Sequence, residues 1–240
     1  MPWLNSHLLS LQKNQYFLPD LEKIQVTEDV LDSFDVETII PITLLFQSGY
    51  LTIVDTHIDF NQLIFTLKIP NMEVRQALYN KFIFSYTGLL ENRLDFQLHL
   101  RKELSSGDVP SLIDTIKRLF ASIPWRNFTN NDLAEYEGYY ASVLFAFFAS
   151  LLVKVIPEDS NNHGQADITI ILSHHIYVME VKVVDNLPEG NNQALQQIVQ
   201  KNYAEKYRNI KGMAVHELGL VFNKTERNLV QADYVTTPMF

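Results

Sequence analysis

The chain has 240 residues, 47% of them apolar and 12% aromatic, a composition that belongs to globular proteins and excludes disorder. Its net charge of -9 argues against a surface coated throughout by nucleic acid. The absence of cysteine excludes disulfides, thiolate catalysis and cysteine zinc sites, and makes a reducing cytoplasm the expected compartment.

In chain order, Met1-Pro2-Trp3-Leu4 lacks the basic and apolar pattern of a secretory signal. Residues 4–18 read as a weakly amphipathic segment stopped by Pro19, and residues 22–35 as an acidic stretch of turn character. Pro41 is placed to start a helix through Phe46, with Gly49 as its stop. Residues 50–54 and 63–67 read as a hairpin around a polar connection. Asn71 is placed to cap a helix carrying Val74, Leu78 and Phe82 at helical spacing. Helix, hairpin and helix suggest a winged-helix-like unit, read either as a DNA-binding wing or, preferably, as an acidic unit packing on its neighbour.

Residues 91–104 and 109–123 read as connector helices separated by Ser105-Ser106-Gly107-Asp108. Pro124 breaks the chain, so two domains are expected, 1–123 and 124–240. Asn131 or Asp132 is expected to cap a long helix carrying Tyr136, Tyr140, Leu144 and Phe148, with Glu137 in its first turns. Residues 139–155 are the nearest approach to a membrane span. Ser142, Ser150, Lys154 and the helical period make them a buried amphipathic helix instead, and no membrane association is expected.

The densest chemistry follows. Asp167 opens an apolar strand, Ser173-His174-His175 is a polar break that turns a hairpin, and a second strand covers residues 176–184. Alternation puts Ile176, Val178, Glu180, Lys182 and Val184 on one face and Tyr177, Met179, Val181 and Val183 on the other. An ion buried without a partner is costly, so Glu180 and Lys182 must pair, meet a metal or line a cleft. Asp167 and Glu180 on neighbouring strands can converge on a divalent ion, with the Val181 carbonyl as a third oxygen ligand. Hard oxygen ligands favour magnesium or manganese over zinc. Lys182 could lower the pKa of a metal-bound water or steady a hydroxide. The competing reading is an ordinary strand whose Glu and Lys form a solvated ion pair.

A last helix over residues 191–207 places Gln197 and Lys201 one turn apart, able to project toward Glu180 and Lys182, with Tyr203 and Tyr207 as core. Residues 213–215 and 218–222 supply a final strand. From Lys201 on, Lys206, Arg208, Lys211, Lys224 and Arg227 outnumber Glu205, Glu217 and Glu226. That run is either a modest basic patch or a solvated face with incidental pairs. His163, His174 and His175 read as exposed turn residues.

Asp167, the hairpin, Glu180-Val181-Lys182 and the helix with Gln197 together resemble the PD-(D/E)XK nuclease superfamily. They are most similar to the nuclease-like domain that follows an AAA-ATPase-like domain in many bacterial proteins. The likeness runs over about residues 125–235 and includes residues 157–167, residues 179–182, and residues 194–198 with Lys201 and Tyr203. One departure is Gln165, where relatives usually carry an Arg. Residues 41–53 resemble the end of the ATPase-like domain, but no Gly-x-x-x-x-Gly-Lys-Ser/Thr loop exists for a nucleotide triphosphate.

The resemblance implies an α/β fold with an αβββαβ restriction-endonuclease-like core, preceded by a mostly helical, winged-helix-like region. It implies magnesium- or manganese-dependent hydrolysis of phosphodiester bonds in nucleic acid. Asp167, Glu180 and Val181 would serve the metal and Lys182 the attacking water. Glu137 would be the family's acidic residue on the first helix, against a structural role as favourable charge at a helix N-terminus. Gln197 and Lys201 would orient Lys182 or a phosphate. The alternative is a catalytically inactive interaction or DNA-binding module, the remnant of a longer ATPase-nuclease protein. Oligomeric state is left open.

Overall fold

The computed structural model describes residues 24–32, 40–128 and 137–239. The expected helix over residues 4–18 and the Asn131 or Asp132 cap lie outside them. The chain divides into two compact units, residues 1–86 and 87–240.

In the first unit, β1 (Ile24–Thr27) leads into one helical turn, α1 (Glu28–Leu31). Then come α2 (Pro41–Gln47), the hairpin β2 (Thr52–Asp59) and β3 (Gln62–Lys68), and α3 (Met72–Thr87). The sheet order is β1-β3-β2, antiparallel throughout. Pro41 starts α2 as expected, because its missing N–H is one the first turn leaves unbonded anyway. The acidic stretch expected to be turn instead contains β1, where Ile24 and Val26 alternate inward and pair in register with Leu67 and Phe65. The hairpin is also longer than expected. Phe60 and Asn61 both adopt positive φ in a two-residue turn, so residues on either side of it pair rather than loop.

The second unit begins with α4 (Arg93–Ser106) and α5 (Val109–Ala121), followed by a 3-10 turn, Trp125–Phe128. Next come α6 (Glu137–Ser150), β4 (Lys154–Asn161), β5 (Gly164–Ile171), β6 (His175–Val184), α7 (Gln193–Gln200), β7 (Ala214–Asn223) and β8 (Asn228–Thr237). From α6 to β7 this is the expected αβββαβ order, with β8 added at the edge. The sheet runs β4-β5-β6-β7-β8, and only β6–β7 is parallel. That pairing is parallel because α7 carries the chain across the sheet between them.

The helices expected to be connectors belong to this unit. Phe120 of α5, Tyr140 of α6 and Phe222 of β7 form one aromatic cluster, with centroids 4.4–5.5 Å apart. The Tyr177 hydroxyl of β6 donates to the Leu104 carbonyl of α4 at 2.8 Å. α6 is not amphipathic as expected. Every residue from Tyr139 to Ser150 is buried, which is how a helix apolar on all sides is accommodated. No described helix is long and apolar enough to cross a membrane.

The opposite face of the sheet is covered by α7 and the turns after it. Ile176, Val178 and Val215 pack there with Ile198, Tyr203 and Tyr207. One further expectation is corrected on this face, and one left open between two readings is decided in part. The last helix ends at Gln200 rather than near residue 207, because Asn202 turns left-handed (φ 50°) and its side chain accepts from Arg208. Half of the basic run forms the incidental pairs that one of the two readings expected. Arg208 makes a bidentate bridge to the buried Glu217 at 2.8 and 2.9 Å, Lys206 meets Asp159 at 2.6 Å, and Lys224 meets Asp185 at 2.9 Å.

Candidate active site

The β5–β6 ladder makes its last rung between Ile168 and Met179. The next rung in that register would join Asp167 to Glu180, but here the strands part. Leu172 donates to the His175 carbonyl, so the odd-numbered residues of β6 direct their main-chain groups to the β5 side. Where β5 diverges, the N–H groups of Val181 and Val183 lose their strand partner. Side chains replace it: Asp167 Oδ2 accepts from Val181 N at 2.7 Å, and Glu137 Oε1 accepts from Val183 N at 3.4 Å. The need to satisfy two edge amides is what draws the acidic residues of β5 and α6 together.

Glu180 stands between them, 2% exposed. Its Oε1 accepts from Lys182 Nζ at 2.9 Å and from Gln197 Nε2. Its Oε2 is buried with no partner. Lys182 Nζ also lies 3.5 Å from Glu137 Oε2. Gln197 is held by the Tyr203 hydroxyl at 3.2 Å, so this tyrosine, expected to be core only, also fixes the site from behind. Lys201 is not brought in. It is the exposed residue capping the end of α7, and its main-chain N–H donates to the Gln197 and Val199 carbonyls. Val181 meets Asp167 through its N–H, and its carbonyl leaves the same edge of the strand.

Burial and the neighbouring Asp167 carboxylate push the Glu180 carboxyl up to about 7, against the opposing pull of Lys182. Burial likewise raises Asp167, opposed by the Val181 N–H and by Lys182. Burial of Lys182 works against its charge, but the bond to Glu180 and the surrounding carboxylates outweigh it, and its pKa is raised.

These directions set a pH dependence for the metal-free protein. Because the folded Glu180 holds its proton up to about pH 7 while the unfolded one releases it near 4.3, its contribution to stability is full below the lower value. That contribution declines as pH rises through the upper one, with a slope of at most about 1.4 kcal/mol per pH unit. Thermal melting in a chelator should show this decline for the intact chain and a flatter profile for Glu180→Gln.

Two carboxyls raised by burial, that of Glu180 further by the neighbouring Asp167, together with one buried unpartnered oxygen and a main-chain carbonyl on the same edge, suit a hard divalent cation. Among the described residues no three His, Asp or Glu side chains form a ready ligand set. A cation here would therefore complete its shell from main-chain oxygen and water.

His175 is corrected. It is not an exposed turn residue: its Nδ1 lies 3.0 Å from Nε2 of the buried His216, and a Cβ on Gly107 would sit 2.5 Å from its ring. Gly107 takes a left-handed φ of 74° at the end of α4. His216 in turn contacts the Thr236 hydroxyl at 2.9 Å and stacks on Tyr177. The available signal was a His-Glu pair within an otherwise apolar strand at Val215-His216-Glu217-Leu218.

Two comparisons bear on this arrangement. An uncharacterized protein in the vnfD 5' region of Azotobacter chroococcum mcd 1 is 38% identical over 220 residues, which cover 92% of this chain and 42% of that protein. The chain thus spans less than half the length of the curated relative it matches. A family profile of the PD-(D/E)XK nuclease superfamily matches residues 135–232, a stretch that contains Glu137, Asp167, Glu180, Lys182 and Gln197. With its αβββαβ order and its Asp167 and Glu180-Val181-Lys182 constellation, this part of the chain belongs to the PD-(D/E)XK nuclease superfamily.

Proposed function

We propose that this chain hydrolyses phosphodiester bonds of nucleic acid with the help of magnesium or manganese, held by Asp167, Glu180 and the Val181 carbonyl. The observation that carries the reading is the unpartnered Glu180 Oε2, buried next to Asp167 with the Lys182 ammonium 2.9 Å from its sister oxygen. A bound divalent ion supplies Lewis acidity and a water of lowered pKa. Lys182, restrained by Glu180 and Glu137, places positive charge where the attacking oxygen and the phosphate gather negative charge. Gln197 and Tyr203 fix the Glu180 carboxylate, and the Val181 N–H fixes that of Asp167. Glu137 takes a supporting place, and Lys201 takes none in the chemistry.

Cleavage of labelled DNA and RNA strands by the chelated protein should appear on adding magnesium or manganese. Calorimetry should show binding of the ion that Glu180→Gln loses. No cleavage with either metal, or equal ion binding by the variant, would sink the reading. A second reading, a non-catalytic module on the same scaffold, has one observation in its favour: Lys182 lies 2.9 Å from Glu180 Oε1, so the charge of the pair balances without an ion. It forecasts no specific ion binding by the intact chain.

A further inference from the structure

We propose that a second copy of this chain docks on the outer face of α4, the two helices running antiparallel across a two-fold axis. This goes beyond the nuclease reading and does not depend on it. α4 carries apolar side chains on two opposite faces. Phe96, Leu100 and Leu104 are buried in the second unit, whereas Leu94 and Leu98, one turn apart on the other side, are 62% and 59% exposed. Leu90, just before the helix, is 63% exposed. A surface helix ordinarily turns one apolar stripe to its own core and polar residues to water. The second stripe of α4 stays open to solvent in this chain, and a patch of neighbouring exposed leucines marks an interaction surface.

The stripe stands on a fixed support. Gln97 Nε2 donates to the Ser150 hydroxyl of α6 at 2.7 Å, and the Tyr177 hydroxyl of β6 donates to the Leu104 carbonyl at 2.8 Å. The helix therefore cannot roll its outer leucines inward without breaking these bonds and uncovering Phe96 and Leu100.

The flanking charges select the occupant. Glu91 and Asp95 stand at the N-terminal end of the exposed face, and Arg101 and Lys102 at its C-terminal end, all four exposed. Among the described residues, Glu91, Arg101 and Lys102 make no ion pair within the chain, and Asp95 is paired with His99 at 3.4 Å. An antiparallel copy brings the acidic end of one helix beside the basic end of the other, twice by symmetry, and sets leucine against leucine between them. The opposed helix dipoles favour the same arrangement. A parallel copy would set like charge against like. The face is thus complementary to itself. The contact covers about three helical turns, less than the interface of a permanent dimer, so association is expected at concentrations on the order of micromolar.

The test is sedimentation equilibrium of the intact chain from about 1 to 200 µM. A monomer–dimer equilibrium is expected, and Leu94→Gln together with Leu98→Gln should weaken it about 100-fold or more. Both positions are exposed, so this variant should melt as the intact chain does. A chain with Glu91→Lys and Asp95→Lys, and another with Arg101→Glu and Lys102→Glu, should each dimerise about tenfold more weakly alone. An equimolar mixture of the two should form a heterodimer, and this result decides the matter if the leucine variant melts early. A chain that stays monomeric over the whole range overturns the proposal and leaves the stripe to a different partner. A dimer unaffected by the leucine changes also overturns it, since the contact then lies elsewhere. So does a mixture of the two charge variants that dimerises no better than either alone.

Discussion

Lys182→Ala is expected to reduce metal-dependent cleavage about 10²- to 10⁴-fold while leaving the fold intact. The magnitude is that of removing one positioned charge or proton-handling group from a water-poor site. The fold should survive because Glu180 has an escape. Losing the Lys182 charge removes the group that holds the Glu180 pKa down, so the carboxyl simply stays protonated over more of the neutral range. Initial cleavage rates at saturating magnesium, with melting near pH 6 as the control for folding, check both halves. A variant that cleaves within a few-fold of the intact chain would show that the ammonium serves only the ion pair. Glu137, half-exposed and 3.5 Å from the same ammonium, should have a smaller effect when changed to Gln.

The second large effect is expected from Gly219→Ala. Its Cβ would sit 2.2 Å from the Leu195 nitrogen and 2.6 Å from Asn192 Oδ1. Both are held in place: Asn192 caps α7 by accepting from Leu195 N and ties the helix to β7 by donating to the Gly219 carbonyl, each at 2.9 Å. One contact is to main chain, so no side-chain rotation relieves it, and α7 must lift from the sheet. A loss of about 3 kcal/mol or more is expected. Activity should fall with it, since Gln197 rides on that helix. Urea denaturation of the variant measures the first. An unchanged midpoint would mean that α7 packs less closely than this geometry requires.

How much of the site was legible in advance can be judged residue by residue. Glu180 and Lys182 sharing a face is a consequence of the two-residue period of a strand, which any stretch of sequence displays locally. Asp167 meeting Glu180 follows from a short polar break between two apolar runs, again a local signal. Gln197 was reachable because one helical turn separates few alternatives. Lys201 was read by the same rule and stands outside the cluster, since the helix stops before it. That stop depends on Asn202 and on Arg208, whose position is set by Glu217 on a strand later in the chain. Periodicity carries no information about such a stop.

The amino-acid sequence alone determined the strand faces, the hairpin that sets the two acidic positions on neighbouring strands, and the family to which residues 135–232 belong. Each rests on patterns a few residues wide or on their order. The tertiary structure alone decided that β5 leaves β6 one rung before the carboxylates, that the freed amides of Val181 and Val183 recruit Asp167 and Glu137, and that one oxygen of Glu180 has no partner. It also decided which sides of α6 and of His175 are covered. Those outcomes depend on which main-chain groups lose a neighbour and which distant side chains arrive to replace it, a matter of three-dimensional packing that no local spacing encodes.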